Sequence, residues 1–551
     1  MSLLLTRSGR VELARSFHRD IQNANDYYYY TIGKTDSWIN PETGLADESS
    51  PEVGIDSNAY INQYRRNILF MQRLTSADTC HLIRRIDWDV SQETVYDPYD
   101  DAYSSDNPAH SEATNLADAN FYVLTSDMRV YLCLDNNNNS LSTTKPEGTG
   151  PIPFEHDADN QDGYKWKFMC EISAADQTKF LDDNWMPVRK LTGNPQFDVN
   201  GVVDGLTITA GGSYTSAPEV IINGDGVDAG ATCTINSSGE VDSITITSQG
   251  SGYSFAIVEF VGDGTGAEAT VTLGEPDSLP ALQAAVEAAA IPGTLDRVVI
   301  TTPGSGYAQN DVSVVITGDG TGATADAVVV GGIVTSIDIT NAGSGYTYAN
   351  VSITQVGGTG TDFAARAIVS PVEGHGANVV RGFYSSTVGI VTTIYDKDNE
   401  DLVLDNDFRQ IGLAKNFRRY GGTGIWTGRT ATAAFVVYTD DTSDFLNTDN
   451  GYDSIITTPD GGEFIVSQIR IDDTGTAAYQ VYLLPIVPLI SLDNGNWTNT
   501  STGNSVVVAN INSIANPEVS IATGEVIYIE NRAPVTRSVD QAETIKVIVN
   551  F

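Results

Sequence analysis

GEVIYIENRAPVTRSVDQAETIKVIVNF, residues 524–551, carries the reading that decides the fold. Val526-Ile527-Tyr528-Ile529 reads as a short buried strand, and Pro534 forbids a regular ladder beyond it. The closing run sets Ile545, Val547, Val549 and Phe551 on one face at period two, the pattern of a half-buried strand. A last residue that is a core-facing Phe implies an end held inside a sheet or an interface rather than a frayed tail.

Working outward, residues 376–551 are strands separated by Asp-, Asn- and Gly-rich turns, and residues 76–191 mix short strands with loops such as Asp97–Asp106 and Asn136–Thr144. Residues 1–75 contain two helical patterns. Val11, Ala14, Phe17 and Ile21 form one apolar stripe; Tyr60, Tyr64, Ile68 and Met71 form another, with Ser57 and Asn58 as caps. Alternation in a strand over Tyr27-Tyr28-Tyr29-Tyr30 would bury two rings and expose two, for core and interface use rather than as a carbohydrate platform. The expected class is α+β, mostly β, dominated by antiparallel sheet.

Residues 193–374 are an internal repeat. Gly-Ser-Gly-Tyr recurs at Gly250–Tyr253, Gly304–Tyr307 and Gly343–Tyr346, with a degenerate copy at Gly211–Tyr214, so the tyrosines are spaced 39, 54 and 39 residues apart. Ile246, Ile300 and Ile339 each lie seven residues before a repeat tyrosine, and Ile244, Val298 and Ile337 nine before. That register suits successive copies of one β-hairpin, whose side chains stack only when period-two faces coincide. Glycine turns, Gly262-Asp263-Gly264-Thr265-Gly266 and Gly318-Asp319-Gly320-Thr321-Gly322, lie between them. The long interval holds Asp277-Ser278-Leu279-Pro280, an Ala-rich run Ala281–Ala290 and Pro292-Gly293, which together spell a short helix. The flanking copies hold only a turn there, Ser237-Ser238-Gly239 or Gly331-Gly332, so the helix is expected to replace a hairpin tip.

Composition narrows function. The chain has 30 Lys plus Arg against 71 Asp plus Glu, a formal net charge of −41, which repels phosphate backbones and anionic membranes and argues against either as a partner. With 41% hydrophobic residues in 551, the charge does not signal disorder. Leu3-Leu4-Leu5 before Arg7 is far too short for a signal-peptide core, and no run approaches membrane-spanning length. Cys80, Cys133, Cys170 and Cys233 show no CxxC spacing and read as reduced, mostly buried thiols of a protein made in a cytosol.

No catalytic, cofactor or metal motif emerges, so no site residues, cofactors or metals are expected. His18, His81, His110, His156 and His375 have no paired metal spacing, the Gly-Thr-Gly runs lack the Lys-Ser/Thr of a phosphate loop, and Gly-Ser-Gly-Tyr is not a nucleophile elbow. Asp157-Ala158-Asp159-Asn160-Gln161-Asp162-Gly163 resembles a calcium loop but has Asp162 where the sharp-turn Gly belongs and Phe168 where the bidentate carboxylate belongs. Arg84-Arg85 and Arg418-Arg419 are rare cations that neutralise nearby carboxylates or dock an acidic partner.

Several segments carry a family resemblance, in order along the chain. They are Tyr30-Thr31-Ile32-Gly33 leading to Trp38; Arg84-Arg85-Ile86-Asp87-Trp88 with Tyr96-Asp97-Pro98-Tyr99; Val130-Tyr131-Leu132-Cys133-Leu134-Asp135; Pro146-Glu147-Gly148; Asp162-Gly163-Tyr164-Lys165-Trp166; Phe408-Arg409-Gln410-Ile411; and the terminal Glu530-Asn531-Arg532 with its closing strand. Together they resemble the baseplate wedge subunit of T-even-type contractile phages, the gene-product-8 type, over residues 1–191 and 376–551. The Gly-Ser-Gly-Tyr repeats resemble β modules of phage structural and bacterial surface proteins.

The resemblance implies a layered antiparallel β-sandwich core with helices on its loops, split into 1–191 and 376–551 around an inserted all-β repeat domain at 192–375. It implies a non-enzymatic structural protein of the virion tail baseplate, assembled in the host cytoplasm. The implied partners are a second copy in a homodimer, other wedge proteins, and tail fibre or spike proteins. Rearranged subunit contacts would then transmit receptor engagement during contraction. Two other classes stay open: a receptor-binding, adhesin-like tail protein displaying the repeats, and a glycan-cleaving tail enzyme using paired carboxylates.

Overall fold

The computed structural model describes all residues except 1–5, 22–25, 36, 41–42, 50, 76–77, 93, 192–201, 225–226, 252, 254–255, 274–280, 395–406, 429, 447–453, 460, 473–474, 487–496, 507–510 and 537–542. The chain is mostly β, with several antiparallel sheets and few helices. Among the described residues no helix is long and apolar enough to cross a membrane.

Two sheets pack into a sandwich. The first runs in the order Thr430–Thr432, Ile68–Arg73, Tyr28–Gly33, Phe408–Lys415, Glu525–Val535; the second in the order Glu543–Asn550, Thr387–Ile394, Thr79–Arg84, Trp185–Val188. Tyr28, Tyr30, Ile32, Val388, Ile390, Ile545 and Val547 share one core between them. Both sheets mix strands from before residue 192 with strands from after 376, so neither stretch can close its core alone. The helix Arg7–Ile21 buries Val11, Ala14 and Ile21, and its Phe17 ring meets Phe551 at 5.5 Å. A four-stranded sheet built on Arg129–Asp135 and Lys165–Glu171 shares a core with Ile83, Met186 and Val188 of the second sheet, and a seven-stranded sheet around Tyr479–Pro485 has a core of its own.

Four expectations need correction. The strand at 526–529 is longer and more exposed than its composition suggests. It spans Glu525–Val535 at a sheet edge, with Ile527 and Tyr528 41% and 38% exposed. Pro534 is tolerated there because the register skips: Gln410 faces Asn531 while Phe408 faces Val535, so Pro534 sits in the unpaired excess.

The second helical stripe breaks at Asn67. Ser57 does cap the helix Asn58–Asn67, accepting from the Tyr60 amide at 3.2 Å, but Ile68–Arg73 is a strand paired with Tyr28–Gly33. A vacant place beside a central strand overrides local periodicity. The tyrosine run does not alternate between core and solvent: Tyr28, Tyr29 and Tyr30 are all at most 3% exposed. Their strand is covered on both faces. Tyr28 donates to Asp20 of the first helix, while on the other side Tyr29 donates to the Trp426 and Gly428 carbonyls at 2.9 and 3.1 Å.

The fourth correction concerns the repeats. They form two six-stranded modules, Val203–Leu273 and Leu295–Val369, not a row of hairpins. In each, the first strand pairs with the sixth, the second with the fifth and the third with the fourth. All four long ladders set an isoleucine against an alanine beside a bulge: Ile208 with Ala269, Ile246 with Ala231, Ile300 with Ala365, Ile339 with Ala325. The helix Ala281–Ala288 lies where the sequence places it, while its expected cap at 277–280 is outside the described residues. It tips no hairpin, because the strands on either side of it pair with others; it joins one module to the next. Even so, Gly293 at its end accepts from the Tyr346 amide as Gly239 and Gly332 accept from Tyr214 and Tyr307. Tyrosines 39 residues apart are thus the halves of one module, and the interval of 54 crosses between modules.

Within a module the halves interlock. Tyr307 packs on Gly360 of the other half, and Tyr346 returns the contact on Gly320, where an added Cβ would lie 2.4 Å from the Tyr346 ring. Asp319 fixes that corner by accepting from the Thr347 amide at 2.9 Å, as Asp263 does from Thr215 at 3.0 Å. The first glycine of the motif is left-handed, with φ +65 at Gly304 and +64 at Gly343, and a Cβ at either would strike the partner strand's backbone.

Two outcomes follow. Gly320→Ala should cost roughly 1–3 kcal/mol in urea unfolding. Gly424→Ala, whose new methyl meets nothing within 4 Å, should cost no more than a few tenths. Deleting residues 545–551 removes Ile545, Val547, Val549 and Phe551 from the sandwich core. At about 1.5–3 kcal/mol per fully buried apolar side chain, that loss rivals a typical domain stability of about 5–15 kcal/mol. The truncated protein should be insoluble, whereas a soluble product with a cooperative melt would show the terminal strand to be dispensable.

Candidate functional site

The five histidines and the acidic loops were the residues with most chemical potential, and the structure gives each a distinct setting. His18 and His81 stack in the core with ring centroids 4.7 Å apart, held between the first helix and the strand Thr79–Arg84. His18 donates to the Thr79 carbonyl at 3.4 Å, and His81 Nδ1 is buried without a partner. Burial, then the charge of Arg189, lowers the His18 pKa to about 4; burial, then His18 and the cations Arg15 and Arg189, drives His81 well below its usual range. His110 is exposed.

His375 pairs with Asp296 at 2.6 Å, edge-on to Tyr99 at 4.7 Å, where the second module meets the 76–191 region. Nearby, Arg366 grips Asp100 with two bonds of 2.7 and 2.6 Å, and Arg297 approaches the same carboxylate at 4.0 Å. Residues 192–375 contain 20 Asp and Glu but only these two cations, and both are committed to Asp100. Ile368 and Val299 of the module enter the core of the neighbouring sheet. The linker helix adds Val286 to the cluster of Tyr131, Tyr164 and Trp166, Gln283 donates to the Arg189 carbonyl, and Glu287 accepts from the Leu191 amide. Leu191 and Gly376 both touch this helix, so the two ends of the repeat region lie close together.

The loop with the calcium-like spacing does different work. Asp157 caps its own turn, accepting from the Asp159 amide at 2.9 Å and from Asn160 Nδ2 at 2.7 Å. Asp162 is buried and accepts from His156 Nδ1 at 2.7 Å, from the Thr143 and Thr144 amides at 2.9 Å each, and from the Tyr164 amide at 3.2 Å. Burial alone would raise its pKa; the bonds from His156, Thr144 and Tyr164 outweigh that and hold it below the usual carboxylate range. The neighbouring loop makes this possible by an uncommon backbone, with Asn137, Asn138 and Asn139 all left-handed at φ 49, 56 and 63. Asn137 Nδ2 then reaches the Asp162 carbonyl at 3.2 Å.

Between these loops lies a cleft of about 350 Å³ lined by Thr144, Lys145, Glu147, Gly148, Phe154, His156 and Gln161. Among the described residues no three His, Cys, Asp or Glu side chains converge as a metal would require. Sequence reasoning weighed the 157–163 loop only as a cation template and so missed the His156–Asp162 pair. The junction on Asp100 joins residues 266 apart and had one sequence signal, the scarcity of cations in the repeats.

The paired arginines make contacts within the chain. Arg84 donates to the Asp118 and Ala119 carbonyls and to Asn120, and Arg85 pairs with Asp87 at 3.0 Å. Arg419 lies over the Trp426 ring at 5.1 Å. All four cysteines are free thiols, three of them buried, and burial pushes Cys80 up to about 12, which leaves it unreactive. No protein-family model matches the chain, and no curated protein matches it.

The stacked histidines make stability pH-dependent. An unfolded imidazole titrates near 6.5, so below that pH the unfolded chain takes up protons the folded core refuses, and stability falls until about pH 4. At pH 5 His18 alone should account for about 2 kcal/mol of lost stability relative to pH 7. Urea midpoints at the two pH values should show the drop, and His18→Gln should shrink it.

Proposed function

We propose that this chain is a structural subunit of a contractile phage tail baseplate wedge, a dimer that bridges neighbouring wedge proteins and peripheral fibre or spike proteins. The observation that carries the reading is that the resembling segments, far apart in sequence, touch one another in the fold. Tyr30–Gly33 and Phe408–Ile411 lie on paired strands, and Glu530-Asn531-Arg532 follows on the next strand of the same sheet. The Trp38 indole donates to the Arg532 carbonyl at 2.8 Å, and Arg409 forks onto Glu48 at 2.8 and 2.7 Å. Tyr96, Tyr131, Cys133, Tyr164 and Trp166, from three further segments, share one cluster. The order of these segments along the chain is thus also a set of mutual contacts, the kind of constraint a preserved core imposes.

A scaffold role needs surfaces rather than a reaction centre. Among the described residues the strand Glu525–Val535 lies at the edge of its sheet beside exposed Ile527 and Tyr528, a natural seat for a second copy. A second reading, receptor binding, draws on Tyr348 and Val356, 57% and 83% exposed at the turns of the second module.

Two measurements test the proposal. Light scattering at micromolar concentration should give twice the 58.9 kDa chain mass, and a stable monomer would remove the dimer. Gold-labelled antibody to the chain should decorate the baseplate end of purified tails. Label confined to fibre tips would favour receptor binding, and unlabelled particles would end the tail assignment.

A further inference from the structure

The loops around Asp162 hold a histidine in a way that the scaffold role does not use. His156 is only 6% exposed, yet it lines the cleft. Its Nδ1 is committed to the Asp162 carboxylate at 2.7 Å, which orients the ring and leaves Nε2, with no partner among the described residues, to hydrogen-bond a ligand. Around it stand the Thr144 hydroxyl, the Gln161 side chain, whose carbonyl is taken by the Asp157 amide and whose amide group is unspent, and the Lys145–Glu147 pair at 3.3 Å. Phe154 supplies an apolar wall, its ring 5.8 Å from that of His156 and backed so closely by Gly148 that an added Cβ would lie 2.7 Å away.

Charge and geometry select the ligand class. Lys145 is already neutralised by Asp127 at 2.7 Å and by Glu147, and Glu155, Asp157 and Asp159 flank the cleft, so an anion is repelled. A metal ion would find one ring nitrogen and too few carboxylates converging on it. What remains is an uncharged molecule that takes and gives several hydrogen bonds at once and turns an apolar face to an aromatic ring. About 350 Å³ is at the small end of ligand sites, room for one such ring. We propose that this cleft binds a neutral hexose unit of a polysaccharide, with His156 Nε2 bonded to one hydroxyl, Glu147 accepting from another, Gln161 and Lys145 donating to hydroxyl oxygens, and Phe154 against the sugar's C–H face.

This assignment stands apart from the baseplate reading, and its failure would leave that reading untouched. Saturation-transfer NMR on the full chain, with the methyl glycosides of glucose, galactose, mannose and N-acetylglucosamine at about 5 mM, probes the millimolar affinity that one ring's contacts provide. At least one glycoside should receive saturation. Gln161→Ala and Glu147→Gln, both at exposed positions, should each weaken its binding about 5-fold while the chain keeps its cooperative melt. His156→Gln should abolish it, and the two exposed-site variants keep the test valid if that substitution unfolds the loop. No saturation of any of the four glycosides, or equal binding by both exposed-site variants, would overturn the proposal.

Discussion

The pairing of Tyr28–Gly33 with Phe408–Lys415, and of Thr79–Arg84 with Thr387–Ile394, is the constraint on which the rest of the structure depends. Each ladder joins strands more than 300 residues apart, yet the entropic cost of closing so long a loop rises only with the logarithm of its length. Once these ladders form, the tyrosines of the central strand are covered on both faces, the first helix gains a floor for Ala14 and Ile21, and the terminal strand finds its neighbour in Thr387–Ile394. The intervening sequence is then free to be long, provided that its two ends return to the same place. Both Leu191 and Gly376 do so by touching the linker helix.

That helix and the Asp100 junction make the repeats more than a passenger. Val286 completes an aromatic cluster on one face of the sheet built on Arg129–Asp135 and Lys165–Glu171, and Ile368 enters the core on its other face. Replacing residues 192–375 by a short linker would therefore strip two cores as well as shorten a loop. Electrostatics reinforces the arrangement. Asp100 is nearly fully buried, and the guanidinium groups of Arg366 and Arg297 are its ion-pair partners across the junction. With the repeat region's only Lys or Arg side chains spent there, the carboxylates on the outward surface of both modules have no Lys or Arg of that region to balance them.

How much of this was legible depended on the distance over which each signal acts. The period-two run at 545–551, the stripe from Val11 to Ile21, the Ser57 cap and the Ala-rich linker helix are local, and each formed where the residues placed it. The break at Asn67 and the burial of three successive tyrosines were not legible, because both depend on a sheet assembled from distant strands. The repeat spacing revealed units but not their pairing, since a strand facing its neighbour in sequence and one facing a strand sixty residues away share the same alternation. The cleft was hidden for a related reason. An aspartate at the end of an acidic loop looks the same whether it waits for a cation or, as Asp162 does, for an imidazole and three amides.

The interlocked tyrosines also bear on how this chain can change over evolutionary time. Because Tyr307 closes the far half's turn and Tyr346 closes the near one, half a module would carry a bare glycine corner and a ring with no seat. Gain or loss of a single half is thus penalised, while a whole added module brings both corners and both rings with it. Tyr214 and Tyr307 lie 93 residues apart, so the region should lengthen or shorten among descendants in steps of about that size. Its reach is quantised, and a lineage tuning the distance between two attachment points would have whole modules as its only increments.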